Sequence, residues 1–295
     1  MLRTALAVLS LFALALPAQD RAETPKKLRV HVIGASVSGG FRDGPQTGAE
    51  EMGDSITMQH LLRRWCGDHA RATTHGTIQM MMMFTDPLRI GEEQIEGVRK
   101  AEPEVVVAID YLFWFAYGYV GDGDEAERRA ERFEKGLELL GSLSMPVVIG
   151  DLPDMAGAAR RMLSPRQIPP PELLAQLNER LRAWAEEHPN VRVVPLAETV
   201  RQMRTEGVAL PLAEGPLPTA PGALQQADKL HANRLGMALL GLRMQDALRA
   251  CFPDGHPLAQ RQWTFEQFVE AAGAEGDLEL QREAAAATAE ATGDK

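Results

Sequence analysis

Asp228 and His231 lie three residues apart where the sequence passes from a loop into a helix. At this spacing a carboxylate can bind one ring nitrogen of an imidazole and orient the ring as a general base. Ser36 lies far upstream, directly after an apolar run that ends at Gly34. Because a serine hydroxyl becomes a strong nucleophile when an imidazole accepts its proton, the three residues predict covalent catalysis by a Ser-His-Asp triad.

The glycines around Ser36 support this prediction. Gly34, Gly39 and Gly40 permit a tight turn. Such a turn leaves backbone N–H groups free to face an oxyanion that develops on a bound carbonyl.

Alternating apolar runs and helical patterns must bring these distant residues together. Strands are predicted at 28–34, 70–75, 104–109, 146–150 and 191–195. Amphipathic helices are predicted at 55–65, 123–143, 171–187, 196–206 and 233–250. This alternation predicts an α/β fold with a central, mostly parallel five-stranded sheet. A long loop rich in proline and glycine is predicted over 207–226.

Polar residues follow the predicted strands at their carboxyl ends, where an open parallel sheet binds ligands. These residues are Ser36, His75-Gly76, Asp110-Tyr111 and Asp151, and the Asp228 to His231 turn precedes the last long helix. We therefore expect all of them at one edge of the sheet.

Two segments resemble the SGNH, or GDSL-type, hydrolase family. Gly34-Ala35-Ser36-Val37 is similar to the first block of that family, and Asp228-Lys229-Leu230-His231-Ala232-Asn233 is similar to the last block. The likeness covers the order of elements over residues 28–250. It implies a three-layer α/β/α, flavodoxin-like fold and ester hydrolysis without a cofactor, with Ser36 as nucleophile, His231 as base and Asp228 as its partner.

The middle blocks of the family are less well matched. The resemblance implies an oxyanion site formed by the N–H groups of Ser36 and Gly76. The asparagine of the third block is absent, because the chain reads Ile109-Asp110-Tyr111 there. Losing one oxyanion donor costs on the order of 100-fold to 1,000-fold in rate. Either another donor serves, such as a backbone N–H or Tyr111, or activity is weak or absent.

The N-terminus predicts a secretory signal. Arg3 precedes an apolar stretch from Ala5 to Leu16, and Pro17-Ala18 precedes polar residues. We expect a signal peptide at 1–18, a linker at 19–27, one SGNH-like domain at 28–273 and a low-complexity, disordered tail at 274–295. An uncleaved anchor is the alternative, since Leu16 is larger than the small residue preferred before a cleavage site. Either way the protein is predicted to be exported, periplasmic or extracellular, with no membrane span after cleavage.

The net charge limits the classes of ligand, and the cysteine content limits the possible disulfides. Without residues 1–18 the chain has 30 Lys and Arg against 41 Asp and Glu, a net charge of −11 with histidine neutral. Such a surface repels phosphate backbones, so nucleic acid is excluded as a ligand and a small-molecule or glycan ester is the expected partner. Cys66 and Cys251 either form one disulfide or remain two unpaired thiols.

Other interpretations of the same residues remain open. Ser36 or Ser38 can cap a helix, and Asp228 and His231 also fit the first turn of one. A site for magnesium, calcium or manganese from Asp110, Asp151, Asp154 and His75 is a further alternative.

The substrate-binding candidates are Asp110, Tyr111, Trp114 and Asp151. The run Met80 to Phe84 fits either an apolar lip or the core, and the aromatic cluster 111–117 either borders the crevice or is buried. A catalytically weak envelope binding protein and an acyltransferase with the same triad are the alternatives to an esterase.

Overall fold

The computed structural model describes residues 27–45, 49–121 and 123–293. The predicted signal peptide and nearly all of the linker lie outside these residues. In the described part of the chain no helix has the length and apolar character needed to span a bilayer.

Five parallel strands form the central sheet, as predicted. They are β1 (Leu28–Val32), β2 (Ala70–Thr74), β3 (Val105–Ala108), β4 (Val147–Gly150) and β5 (Val191–Val194), in the order β2-β1-β3-β4-β5. β3 and β4 are buried along their whole length, because helices cover both faces. This strand order changes direction between β1 and β3, and a doubly wound sheet opens its ligand crevice at that point.

Helices cover the sheet in two groups. The helices are α1 (Ser36–Gly39), α2 (Met58–Cys66), α3 (Thr77–Met82), α4 (Pro87–Ala101), α5 (Phe113–Ala116), α6 (Glu125–Gly141), α7 (Pro171–Glu186), α8 (Leu196–Thr205), α9 (Arg234–Arg249), α10 (Pro257–Gln260), α11 (Phe265–Ala272) and α12 (Glu275–Gly293). α2, α9 and α11 pack together, and α4, α6 and α7 form the other group. The result is a three-layer α/β/α sandwich.

The predicted loop 207–226 contains a β-hairpin. β6 (Ala209–Leu212) and β7 (Gly215–Pro218) pair antiparallel as a separate two-stranded sheet. Prolines are tolerated there because a two-stranded sheet has only edges, where a missing N–H costs no ladder bond. Leu210 is fully buried, so the hairpin is anchored to the core.

The tail predicted to be disordered at 274–295 is instead helical over α12. Its alanines have the highest helix propensity of any residue, which the low content of bulky apolar side chains conceals. Leu278 packs against the core, and Arg282 pairs with Glu214 of the hairpin turn at 2.5 Å.

The two cysteines are not bridged. Cys66 is buried at the end of α2, and Cys251 is half-buried after α9. Burial raises the pKa of the Cys66 thiol to about 12 and that of Cys251 to about 11. Thiolate is therefore scarce at both positions near neutral pH.

Candidate active site

Ser36 opens α1 at the carboxyl end of β1, next to the point where the strand order changes direction. Gly34, just before it, has φ +150° and lies so close to the Asp110 carboxylate that a Cβ atom would collide with it. The Gln94 side chain accepts a hydrogen bond from Gly34 N (2.7 Å) and donates one to Gly34 O (2.9 Å). Gln94 is fully buried, so the turn before Ser36 is held from both sides.

Asp110, after β3, fixes the rest of this turn. Its carboxylate accepts hydrogen bonds from Ala35 N (3.0 Å), Val37 N (2.8 Å) and Ser38 N (3.1 Å), and from Ser38 Oγ (2.5 Å). The Ser36 N–H is left out of this set and has no acceptor within the described chain. It is therefore free to donate to a ligand.

His231 connects Ser36 to Asp228. Its Nε2 lies 2.7 Å from Ser36 Oγ, and its Nδ1 lies 2.6 Å from Asp228 Oδ2. An ionised carboxylate only accepts, so Nδ1 carries the proton and Nε2 is the acceptor for the serine hydroxyl. All three predicted triad members thus form one continuous chain of hydrogen bonds.

Asp228 is buried and held by its own turn. Its Oδ1 accepts from Leu230 N (2.8 Å) and His231 N (3.0 Å). Burial raises the pKa of this carboxyl. The hydrogen bond and charge of His231, together with the two backbone N–H groups, lower it by more, so the pKa of Asp228 lies below its ordinary value. Asp228 is therefore an anion at neutral pH.

Three residues that sequence reasoning missed support this arrangement. Asp43 Oδ2 accepts from Asp228 N (3.0 Å). The Gln226 side chain accepts from Asp43 N (2.9 Å) and donates to the backbone oxygens of Phe41 (2.8 Å) and Ala232 (2.9 Å). The Phe41 ring stacks on His231 with centroids 4.3 Å apart. They lie in loops, and no spacing pattern marks them.

Two cavities adjoin Ser36. The small cavity, about 50 Å³, has a mostly aliphatic wall that includes Ile109, Leu196, Val200 and Met203. The aromatic cavity, about 170 Å³, is lined by Ser36, His231, Phe41, Phe84, Trp114 and Met162. Phe84 is half-exposed, whereas Trp114 is buried, and their rings lie 5.9 Å apart.

The predicted binding candidates divide between these surroundings. Trp114 lines the aromatic cavity, and Asp110 and Asp151 line the small one. Asp151 accepts a hydrogen bond from Ala197 N (2.6 Å). Burial raises the pKa of Asp151, an effect that this bond opposes without cancelling.

Two predicted site residues do not reach either cavity. Tyr111 is fully buried and donates its hydroxyl to Gly91 O (3.0 Å), because the chain turns inward directly after Asp110. Gly76 N lies 3.4 Å from Thr74 Oγ1, within its own turn at the edge strand β2. The Tyr111 hydroxyl is therefore not available to a ligand beside Ser36, and the assignment of Tyr111 to substrate binding is corrected.

The alternative metal site does not form. No three His, Cys, Asp or Glu side chains of the described residues are arranged to share a metal ion. Asp154 is instead paired with Arg204 at 2.7 Å, and Asp110 is occupied by the turn before α1.

The methionine run and the aromatic cluster each serve two purposes. Met80 and Met83 are core residues, while Met81 lines the aromatic cavity. Phe113 lines the small cavity, and Phe115 and Tyr117 are fully buried.

No known family model and no curated protein matches this chain. Among solved structures it is similar to a gut microbial diltiazem-metabolizing enzyme, with 11% sequence identity and a TM-score of 0.45, over 75% of this chain and 47% of that chain. The chain thus spans about half the length of that enzyme. At this identity and score the likeness assigns no activity to the present protein.

Proposed function

We propose that this protein is a serine ester hydrolase of the SGNH type. The observation that carries the proposal is the continuous hydrogen-bond chain from Ser36 Oγ through His231 to Asp228, with distances of 2.7 and 2.6 Å. Two cavities adjoin the Ser36 hydroxyl at the end of this series of hydrogen bonds, so a substrate can reach it. The resemblance of the first and last sequence blocks to the SGNH family supports the same function.

In the proposed reaction His231 Nε2 takes the proton of Ser36 Oγ as the oxygen bonds to the ester carbonyl carbon. Asp228 holds the ring and stabilises the imidazolium. The tetrahedral intermediate collapses, the bond to the alcohol oxygen breaks, and His231 returns its proton to that oxygen. Water, deprotonated by His231, then attacks the acyl-enzyme and releases the acid and Ser36.

Ser36 N–H is the donor we assign to the oxyanion. Its neighbours at Ala35, Val37 and Ser38 are already bound to Asp110. The asparagine of the family's third block is absent, the Tyr111 hydroxyl is bound to Gly91 O, and Gly76 lines neither cavity, so we assign fewer donors here than the family pattern implies. Each missing donor costs on the order of 100-fold to 1,000-fold in rate, so we expect a slow esterase.

We further propose that the enzyme is exported and acts on an acylated carbohydrate or a small lipid ester. The signal-like sequence 1–18 and the family resemblance support this. Secretion of the full-length protein with a cleaved N-terminus, shown by N-terminal sequencing, tests the first part.

A fluorophosphonate probe tests the triad. The purified protein should be labelled, and Ser36→Ala should abolish labelling, whereas Ser38→Ala should retain it because Ser38 Oγ donates to Asp110 rather than to His231. His231→Ala should remove ester turnover. Labelling that persists in Ser36→Ala and disappears in Ser38→Ala rejects the assignment.

A binding or accessory protein without strong catalysis is the second candidate, favoured by the missing asparagine of the third block. It predicts no turnover of short-chain, long-chain or acetyl-sugar esters, together with saturable glycan binding. Acyl transfer by the same triad is distinguished by adding alcohol acceptors and measuring transfer products.

A further inference from the structure

The two cavities beside Ser36 differ in one respect that matters for the reaction. Both contain Ser36 in their walls, but His231 lines only the aromatic cavity. In ester cleavage the proton on His231 Nε2 must pass to the alcohol oxygen as it leaves, so that oxygen lies within hydrogen-bond reach of the ring.

We infer that the small cavity binds the acyl group and the aromatic cavity binds the alcohol, and that the substrate is a short, neutral acyl ester of an apolar or aromatic alcohol. This inference rests on the proposed function and narrows its substrate class. It favours an apolar alcohol over a carbohydrate.

Size limits the acyl group. A cavity needs about 10–15 Å³ to hold one water molecule, so the small cavity, at about 50 Å³, holds a chain of roughly two to four heavy atoms. The wall of the small cavity includes Gly150 at the end of β4 and Val200 of α8, and both residues are buried. A longer chain has no room without moving these elements, which costs energy in a close-packed interior.

Charge limits the acyl group as well. Besides Ser36 and Asp110, the polar side chains in the wall of the small cavity are Asp151 and Gln225, and the Gln225 amide oxygen is buried without a hydrogen-bond partner in the described chain. Both groups offer acceptor oxygens, and Asp151 adds a carboxylate. An acyl chain that ends in its own carboxylate is therefore repelled.

The aromatic cavity suits an uncharged, apolar alcohol. Phe41, Phe84 and Trp114 present ring surfaces, and Met81 and Met162 add thioethers that adapt to irregular shapes. No Asp, Glu, Lys or Arg belongs to the part of its wall that the structure describes. Since its volume is about 170 Å³ against about 50 Å³, this cavity sets a weaker limit on the size of the alcohol than the small cavity sets on the acyl group.

A matrix of esters tests the assignment with the full-length protein. Benzyl, ethyl and 2-hydroxyethyl acetate all release an alkyl alcohol, so their kcat/KM values compare binding in the aromatic cavity. Benzyl acetate should exceed the other two by about tenfold or more, as expected for burying a ring against aromatic side chains. Among the benzyl esters, acetate and butyrate should be cleaved well. The kcat/KM values of benzyl hexanoate and benzyl hydrogen succinate should be about 100-fold or more below that of benzyl acetate.

Two variants separate the cavities. Phe84→Ala should lower kcat/KM more for benzyl acetate than for ethyl acetate, so that the benzyl-to-ethyl ratio falls about five- to tenfold. Val200→Ala should raise the hexanoate-to-acetate ratio, because it lengthens the small cavity. Leu280→Ala, which removes an exposed apolar side chain on α12, is the matched control and should change neither ratio.

A quaternary ammonium ester provides the strongest competing substrate, since aromatic faces also bind cations. Acetylcholine should be cleaved less well than benzyl acetate. A preference for acetylcholine, for hexanoate over acetate, or for ethyl over benzyl acetate overturns the assignment, while labelling at Ser36 leaves the proposed function intact.

Binding to Ser36→Ala keeps the inference testable without turnover. Titration calorimetry should detect benzyl acetate binding, weakened about tenfold by Phe84→Ala in the same background. If the active-site serine is never labelled and no ester is cleaved, the proposed function fails. Equal affinity of Ser36→Ala and of the Ser36→Ala, Phe84→Ala double variant for benzyl acetate overturns the cavity assignment by itself.

Discussion

At the scale of single residues, the Asp110 carboxylate organises the turn that carries Ser36, the proposed nucleophile, without a hydrogen bond to Ser36 itself. Asp110 follows β3, in the segment where the SGNH pattern has its oxyanion asparagine. Its oxygens accept four hydrogen bonds from the turn at the start of α1, three from backbone N–H groups and one from Ser38 Oγ. The Ser36 N–H is left out of these bonds, which is why we propose it as the oxyanion donor.

Asp110→Asn should destabilise the fold and slow labelling of Ser36. An amide offers one acceptor oxygen, and its NH2 group would face N–H donors that now bind a carboxylate oxygen. We expect a loss of about 2–3 kcal/mol in the free energy of unfolding and at least tenfold slower reaction with a fluorophosphonate. Urea denaturation and labelling kinetics measure both.

Asp151→Asn is the control for this substitution. Asp151 is also a partly buried carboxylate at a strand end, and its bond from Ala197 N can be kept by an amide oxygen. The loss should stay below about 1 kcal/mol. Similar losses for the two variants would show that Asp110 has no special structural role.

Among the elements, α9 is the one that places His231. Asn233 caps this helix: its Oδ1 accepts from Gly236 N (2.9 Å), and its Nδ2 donates to Ala223 O (2.9 Å). Gly236 packs against Leu224 O, where a Cβ atom would not fit. The loop before the Asp228 to His231 turn is thereby fixed to the start of the helix.

Asn233→Ala should cost about 1–2 kcal/mol and also slow labelling of Ser36 several-fold, because His231 lies two residues before the cap. Thr264→Ala is the control, because the Thr264 side chain caps α11 by accepting a hydrogen bond from Gln267 N. This cap lies more than 30 residues after His231 in the sequence. Thr264→Ala should cost a similar amount of stability and leave labelling unchanged. Thermal unfolding and labelling rates distinguish the two effects, and equal labelling in both variants contradicts the positioning role of Asn233.

On the scale of the whole molecule, the strand order gathers the site and the buried sheet sets the response to acid. His31 lies in β1, with its Nδ1 2.8 Å from Thr73 Oγ1 and its Nε2 buried without a partner in the described chain. Burial, followed by the charges of His75 and Arg29, lowers the pKa of His31 to about 4. The folded protein therefore keeps this ring neutral where the unfolded chain protonates it.

The lowered pKa predicts acid sensitivity. Between about pH 6.5 and pH 4 the unfolded chain binds one more proton at this site than the folded protein, so stability falls as pH falls through this window and levels off below it. From pH 7.5 to pH 5 the contribution is about 2 kcal/mol. His31→Gln should remove that part of the loss, as measured by urea denaturation at both pH values. Parallel curves for the two proteins would contradict it.

Periodicity and composition determined the layers of this protein. Strand patterns separated by amphipathic segments predicted all five strands to within about two residues at each end, and β3 and β4 are apolar throughout because helices cover both of their faces. The same criterion missed α12 and the β6–β7 hairpin, whose stability comes from helix propensity and from contacts such as Leu278 and Leu210 with the core.

The order of residues also led to Ser36, His231 and Asp228, since polar residues at the carboxyl ends of parallel strands must share one edge. Only the tertiary structure brought their atoms within hydrogen-bond distance and gave Asp110 its partners. It also added Phe41, Asp43 and Gln226 and directed the Tyr111 side chain into the core. The physical reason is that side-chain direction and burial depend on contacts between segments far apart in the chain, and spacing within one segment does not contain them.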